Sequence, residues 1–432
     1  MKKQFKNSVV IAFLSCVVTL PLSSSEFESS STVQEVRDHI ERLPKNDIWW
    51  SVAGEDMRWN NLNLQRIYPT AAVYREGPVR ELNYKPDTRI ANFQVDTPAG
   101  KMGFQAFLDS EFSTSLGVVI AHKGNIVFEH YARMQPYQKP IMWSVSKVLV
   151  SAVIGILESR GKIDVDQAIE VYIPELSGSS FEGVSVRNIL DMATGVDCPE
   201  EYADKTSCYH LLMQAMGEAH WDKNSPDNPY EYLAGVKAGR FAEQGTSFEY
   251  GSVNTDILGW LVEQVTGMPF QDALSREIWT RAGMESDAAY VAPRFGVPHW
   301  DGGFLARLRD MVRFGLLFTP SYTVVSDSRI IPEQHVVDIL DGGRPELLAN
   351  ARNPGWKDYT HEAGKVKHNA LQWDLVWQNG DIYKGGWAGQ GLLVNPERDL
   401  VAVYAGYFKD DYSELSVLPR LREVLNQVYS ND

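Results

Sequence analysis

The chain has 432 residues, 44% of them hydrophobic and 11% aromatic, which is enough apolar material to bury a large core. Its formal net charge of −15 would be repelled by nucleic acid and by anionic membrane surfaces, so neither is expected as a partner.

Lys2, Lys3 and Lys6 precede an uncharged stretch from Ser8 to Leu22 and then Ser23-Ser24-Ser25, the pattern of an export signal over residues 1–25. Its removal takes away three positive charges, −15 − 3 = −18, and leaves Cys198 and Cys208 as the remaining cysteines. The expected destination is the periplasm. Pro21 and the serines make the stretch a weak span, so no membrane span is expected after cleavage. The two cysteines, ten apart in a polar segment, suit a disulfide in an oxidising compartment and suit two unrelated thiols equally.

Residues 26–115 read as a linker and N-terminal wrapping segment: serines at 29–31, a surface helix from Val33 to Leu43, then an aromatic, turn-rich stretch over 48–115 without clear period. From Leu116 the pattern becomes a hairpin, with Gly117–Ala121 and Ile126–Phe128 joined by Lys123-Gly124-Asn125. It feeds a helix over Val148–Glu158 that is apolar on nearly every face and is therefore expected to be buried. Between 163 and 300 the pattern is helical with loops, including Val186–Met192 and Asp256–Val265, the latter stopped at Gly267. Leu305–Phe318 is another helix, followed by strands at Leu371–Gln378, Asp381–Lys384, Gly391–Val394 and Leu400–Tyr407 and a closing helix at Glu414–Val428. Strands near both ends with helices between imply an α/β (α+β) fold. One antiparallel sheet would be built from 116–162 and 301–432, flanked by helices, with a mainly helical domain, 163–300, inserted into it.

Ser144-Val145-Ser146-Lys147 opens the apolar helix, and a serine and a lysine three apart share one side of a helix. A hydroxyl is thereby placed beside an amine. Burial and the positive helix end both disfavour an ammonium, so Lys147 is expected to take the proton of Ser144. Ser159-Arg160-Gly161-Lys162 has the same spacing but straddles a glycine at a helix C-terminus, where the two side chains need not share a face. A second cluster, Phe248 to Asp256, sets Tyr250 and Ser252 in a Gly/Ser/Asn turn ahead of a helix. A third, Tyr383-Lys384-Gly385-Gly386-Trp387, interrupts a strand with glycines, which mark a close approach of another backbone or a ligand.

Ser-x-x-Lys, then Tyr-x-Ser about a hundred residues later, then Lys-Gly-Gly near the C-terminus, is an order that resembles the serine β-lactamase and penicillin-binding protein superfamily. The class C branch, with its esterases and 6-aminohexanoate-dimer hydrolases, is the most similar part of it. Supporting stretches run from Gly161-Lys162-Ile163-Asp164 through Leu190-Asp191-Met192-Ala193-Thr194-Gly195 to Gly302-Gly303-Phe304, and Leu64–Thr70 looks like the N-terminal portion of the dimer hydrolases. The resemblance implies that Ser144 is the acylated nucleophile, Lys147 its general base and Tyr250 the proton carrier. It also implies an oxyanion hole from the backbone N–H groups of Ser144 and Trp387, with Ser252, Lys384, Gly385, Gly386 and Trp143 around the substrate. Trp387 and Trp221 join Trp143 as candidates for an apolar acyl pocket.

Two departures from the family pattern matter. Tyr250-Gly251-Ser252 stands where Tyr-x-Asn is usual, and Lys384-Gly385-Gly386 lacks the hydroxyl of Lys-Thr/Ser-Gly, a partner for a β-lactam or peptide carboxylate. The expected substrate is therefore a small linear ester or amide. A peptidoglycan-directed D-alanyl-D-alanine carboxypeptidase or weak β-lactamase is the runner-up, and a non-catalytic binding protein on the same fold the rival from another class. No Gly-x-Ser-x-Gly elbow is present, and His361-Glu362 with His368 has the wrong interval for one helix face, so no metal and no cofactor are expected.

Overall fold

Lys123 and Gly124 both take positive φ, 47° and 71°, the mirror-image two-residue turn whose twist suits a β-hairpin. They join strands Ser115–His122 and Asn125–His130, with His122 opposite Asn125. The computed structural model in which this is seen describes residues 29–44, 52–355, 365–410 and 417–430. The export-signal reading of 1–25, His361-Glu362 and the first residues of the closing helix lie outside the described residues.

The hairpin belongs to an eight-stranded sheet whose other strands are Asn83–Tyr84 at one edge and Gln390–Asn395, Ile382–Gly386, Trp373–Trp377 and Val366–Ala370 toward the other. Leu400–Gly406 stands in the middle, antiparallel to Ser115–His122, with Val403 opposite Val119. The sheet is thus closed by strands about 285 positions apart in the chain. All pairings are antiparallel except the edge pair Asn83–Tyr84 with Asn125–Ile126, which is parallel.

Both faces of this sheet are covered, so its central strands read as nearly continuous apolar runs. The period of two still sorts the side chains. Leu400, Ala402 and Tyr404 face a cluster with Phe104, Phe107 and the helix Val417–Val428, while Val401, Val403 and Ala405 face the larger core. That core contains the helix Lys147–Ser159, in which every residue from Lys147 to Leu157 is buried. Each such Val, Leu or Ile contributes about 1.5–3 kcal/mol on burial. The helix ends at Gly161 (φ 64°): Lys162 N–H donates to the Leu157 carbonyl and Gly161 N–H to that of Glu158, a Schellman cap. Gly161 therefore does take the helix-end position read from the sequence.

The stretch 52–115 is more regular than its sequence suggests. It holds helices Gly54–Asn63, Thr88–Asn92 and Phe104–Asp109, and strand Thr70–Val73, which pairs with Ala288–Val291 in a separate three-stranded sheet. The elements are short and half-exposed, which hides their periodicity. Strand Val366–Ala370 also went unread; it turns into Trp373–Trp377 through Leu371 and Gln372, both at positive φ, without any glycine to signal the turn. The C-terminal part of 163–300 is carried by the helix Ser252–Thr266, capped by Gly267 (φ 66°), which packs on the Lys147 helix. No helix among the described residues is long and apolar enough to cross a membrane.

Candidate active site

Ser144 lies in a 3-10 turn, Trp143–Ser146, just before the buried helix. The turn is entered through Trp143 at φ 44°, a left-handed backbone that a bulky residue adopts only when its surroundings hold it. They do: the Trp143 indole is buried and donates to Asn61 Oδ1 at 3.2 Å, and Ser146 Oγ, at the far end of the turn, donates to the Trp143 carbonyl.

Lys147 is wholly buried, and its Nζ donates to Ser144 Oγ at 3.2 Å, Ser252 Oγ at 2.7 Å and the Asp301 carbonyl at 2.8 Å. Asp301 Oδ2 is 3.5 Å away. Ser252 is on the first turn of the neighbouring helix and donates to Glu200 Oε1. Tyr250, two residues earlier, places its ring between two amines, Lys147 Nζ at 5.3 Å and Lys384 Nζ at 4.6 Å from the centroid. Burial, then the charges of Glu200 and Asp374, raise the Tyr250 phenol well above its ordinary value, so it stays protonated.

Lys384, also wholly buried, donates to Tyr250 Oη at 3.1 Å and ion-pairs Asp374 on the next strand. Burial pushes its ammonium down to about 8, against the pull of Asp374. The other Asp374 oxygen accepts from Gly385 N–H at 2.9 Å. At Gly386 the strand abuts the nucleophile's turn: a Cβ there would meet the Met142 carbonyl at 2.6 Å and Ser144 N at 3.2 Å, so only glycine fits. The hairpin bend Trp387-Ala388-Gly389 follows, held by Gln390, whose amide donates to the Trp387 carbonyl at 2.8 Å and accepts from Gly406 N–H at 2.6 Å.

Ser144, Tyr250, Gly385, Gly386 and Trp387 line one cleft of about 330 Å³ together with Glu200, Tyr202, Tyr383, Tyr404, Phe408 and Leu418. Trp387 stacks edge-on against Phe408 at 4.9 Å. Cys198 and Cys208 form a disulfide, which clips the loop carrying Glu200 and Tyr202 over the cleft. Among the described residues no group of His, Cys, Asp and Glu could hold a metal ion.

The family model for Beta-lactamase matches residues 104–424. The chain belongs to that family. It is a hydrolase of the serine β-lactamase superfamily. A 6-aminohexanoate-dimer hydrolase of Paenarthrobacter ureafaciens is 28% identical over 355 residues, 82% of this chain and 86% of that one. Esterase EstB of Burkholderia gladioli is 24% identical, over 56% of this chain and 72% of its own. Among solved structures, a Bacillus anthracis protein assigned to the 6-aminohexanoate-dimer hydrolases superposes with a TM-score of 0.71 at 24% identity, covering 87% of this chain and 93% of the other.

Of the residues singled out in the sequence, Ser144, Lys147, Tyr250, Ser252, Lys384, Gly385, Gly386 and Trp387 all meet at this place, although Lys147, Ser252 and Lys384 stand behind the cleft wall and not on it. Trp143 is a correction. It points into the core, not the cleft, because its indole is used to hold the strained turn. Trp221 is 44% exposed and lies under Arg294, away from the cleft. The sequence reading missed Glu200, Tyr202, Asp301 and Asp374. Asp374 carried a signal, a carboxylate inside the apolar strand Trp373–Trp377; Glu200, in a polar loop with other acids, carried none.

Proposed function

We propose that the protein hydrolyses a linear ester or amide through an acyl-enzyme on Ser144, with esters turned over faster. The observation that carries this is the reach of one buried amine, Lys147, to the Ser144 hydroxyl at 3.2 Å, with Tyr250 on the wall of the same cleft. Lys147 accepts the Ser144 proton as Oγ bonds to the substrate carbonyl carbon. The N–H groups of Ser144 and Trp387 receive the developing oxyanion. The C–O or C–N bond then breaks, with Tyr250 delivering a proton to the leaving group; water enters by the reverse route and releases the acid. An alkoxide leaves with less help from a proton than an amine does, which ranks esters first. The names of the relatives, a dimer hydrolase and an esterase, support both linkages.

Lys384 is sealed by Asp374 and Tyr250, and Gly385-Gly386 offers no hydroxyl, so the wall that would hold a β-lactam or peptide carboxylate is poorly equipped for it. The cleft is instead aromatic. Export to the periplasm after loss of residues 1–25 is part of the same reading, supported by the Cys198–Cys208 disulfide, which needs an oxidising compartment.

A fluorophosphonate probe is expected to label the wild type and not Ser144→Ala, with p-nitrophenyl ester turnover falling at least ~10⁴-fold in the variant. Faster cleavage of nitrocefin or D-alanyl-D-alanine than of the ester would overturn the substrate ranking. Equal labelling of both proteins, or of neither, would favour a binding protein.

A further inference from the structure

Behind Lys147 lies a second layer of charge that the proposed chemistry does not use. Asp301 presents its carbonyl to Lys147 Nζ at 2.8 Å and its carboxylate Oδ2 at 3.5 Å, and the same Oδ2 accepts from Tyr209 Oη at 3.0 Å. Its other oxygen ion-pairs His299 Nε2, and His299 Nδ1 in turn ion-pairs Glu218. All of these side chains are buried, Asp301 at 3% and Glu218 at 3% exposure. A row of charges this deep is costly unless each member is paired, and the row ends at the amine beside the nucleophile.

Burial alone would push Asp301 up, but His299 and Lys147 hold it well below the usual carboxylate range; His299, between two carboxylates, is held well above its ordinary value despite its burial. Asp301 is therefore a fixed anion and His299 a fixed cation. Asp256, on the helix that carries Ser252, is raised by burial and by the charge of Asp301.

We infer that Asp301, anchored by His299, is the positioning residue of Lys147, completing a Ser144–Lys147–Asp301 arrangement in which it aims the amine at Ser144 and stabilises the ammonium formed when the serine gives up its proton. A nucleophile, a base and a third group that orients the base is the general form of such sites, here with a lysine where a histidine is more familiar. The inference rests on the acyl-enzyme reading of Ser144. The groups facing Lys147 are Ser144 and Tyr250 in front, Ser252 and Asp256 from the neighbouring helix, Glu200 from the disulfide loop, Lys384 from the sheet, and Asp301 with His299 from behind. Of these, Asp301 alone combines a carboxylate facing the amine with a buried counter-cation of its own.

The test is the pH dependence of kcat/KM for a p-nitrophenyl ester from pH 5 to 10. Asp301 is expected to stabilise the ammonium that the Ser144 proton creates, so removing its charge must move the acidic limb of the profile to lower pH. Asp301→Asn is expected to lower the plateau about 100-fold and to move the limb acidward by about one pH unit. Asp301→Glu, which keeps the charge, is expected to lose rate with the limb in place. A limb that stays put in Asp301→Asn, or moves equally in Asp301→Glu, overturns the inference. Should Asp301→Asn show no cooperative melting, the double variant Asp301→Asn/His299→Gln, which removes the buried cation with its partner, is read instead: an acidward limb supports the assignment and an unmoved one overturns it. Wild-type labelling by the fluorophosphonate probe separates the two readings, since absent Ser144 labelling sinks the acyl-enzyme itself, and normal labelling with an unmoved limb sinks only the role of Asp301.

Discussion

The two sides of the cleft each bury one lysine against one aspartate, and they use it differently. On the helical side Lys147 touches two hydroxyls and faces Asp301 at 3.5 Å; on the sheet side Lys384 is locked to Asp374 on the adjacent strand and reaches the site only through the Tyr250 phenol. The lesson is that burial of an amine does not by itself make a base. What it can do depends on whether a transferable proton lies within reach, and only Lys147 has the nucleophile's proton there.

The comparison breaks if the lysines prove interchangeable. Lys147→Met is expected to lower ester turnover by about 10³–10⁴-fold with the fold intact, as judged by circular dichroism and melting. Lys384→Met is expected to cost about 10–100-fold, because it withdraws a donor from Tyr250 and not a base from Ser144. Equal losses would make the two lysines equivalent in the reaction.

A pH profile sharpens it. With its ammonium lowered to about 8 by burial, Lys384 is charged below that pH and neutral above it. Raising the pH through 8 therefore weakens its pairing with Asp374 and its hold on Tyr250, and wild-type turnover should fall on an alkaline limb near pH 8 that is missing in Lys384→Met. A limb retained in that variant would belong to another group.

The smallest expected effect concerns the loop that bridges the two sides. Glu200 bonds Ser252 on the helical side, while Tyr202 packs near Trp387 on the sheet side, and the Cys198–Cys208 disulfide holds them both. Replacing both cysteines by serine is expected to lower stability by about 2–3 kcal/mol, measured by urea unfolding. The accompanying loss of ester turnover should be only several-fold. An unchanged midpoint would mean that the loop is held by its packing alone.

Much of the fold was legible because the buried helix and the central strands are unbroken apolar runs bounded by turn residues: Lys147–Ser159 and Leu400–Gly406 lie within one or two residues of their expected places. The wrapping segment was not, since helices of five or six residues such as Thr88–Asn92 and Phe104–Asp109 are too short for a period to emerge. At the site, the residues that meet the cleft were found through spacing and resemblance. Those behind it, Asp301, His299 and Glu218, are brought together by tertiary packing from separate segments, and no local pattern announces such a meeting. Trp143 failed for a related reason: an aromatic beside a nucleophile looks the same in sequence whether it greets a ligand or braces a bend.

The pairing of Ser115–His122 with Leu400–Gly406 carries a consequence for biogenesis. During vectorial synthesis the first of these strands waits for nearly three hundred further residues before its second neighbour exists, and the backbone N–H and C=O groups along that edge stay unpaired until then. So distant a closure makes for slow folding and a long exposed interval, in which a chaperone has time to act. A ribosome-stalled chain ending before Leu400 should be rapidly digested by protease, and release of the last thirty-odd residues should be the event that confers resistance.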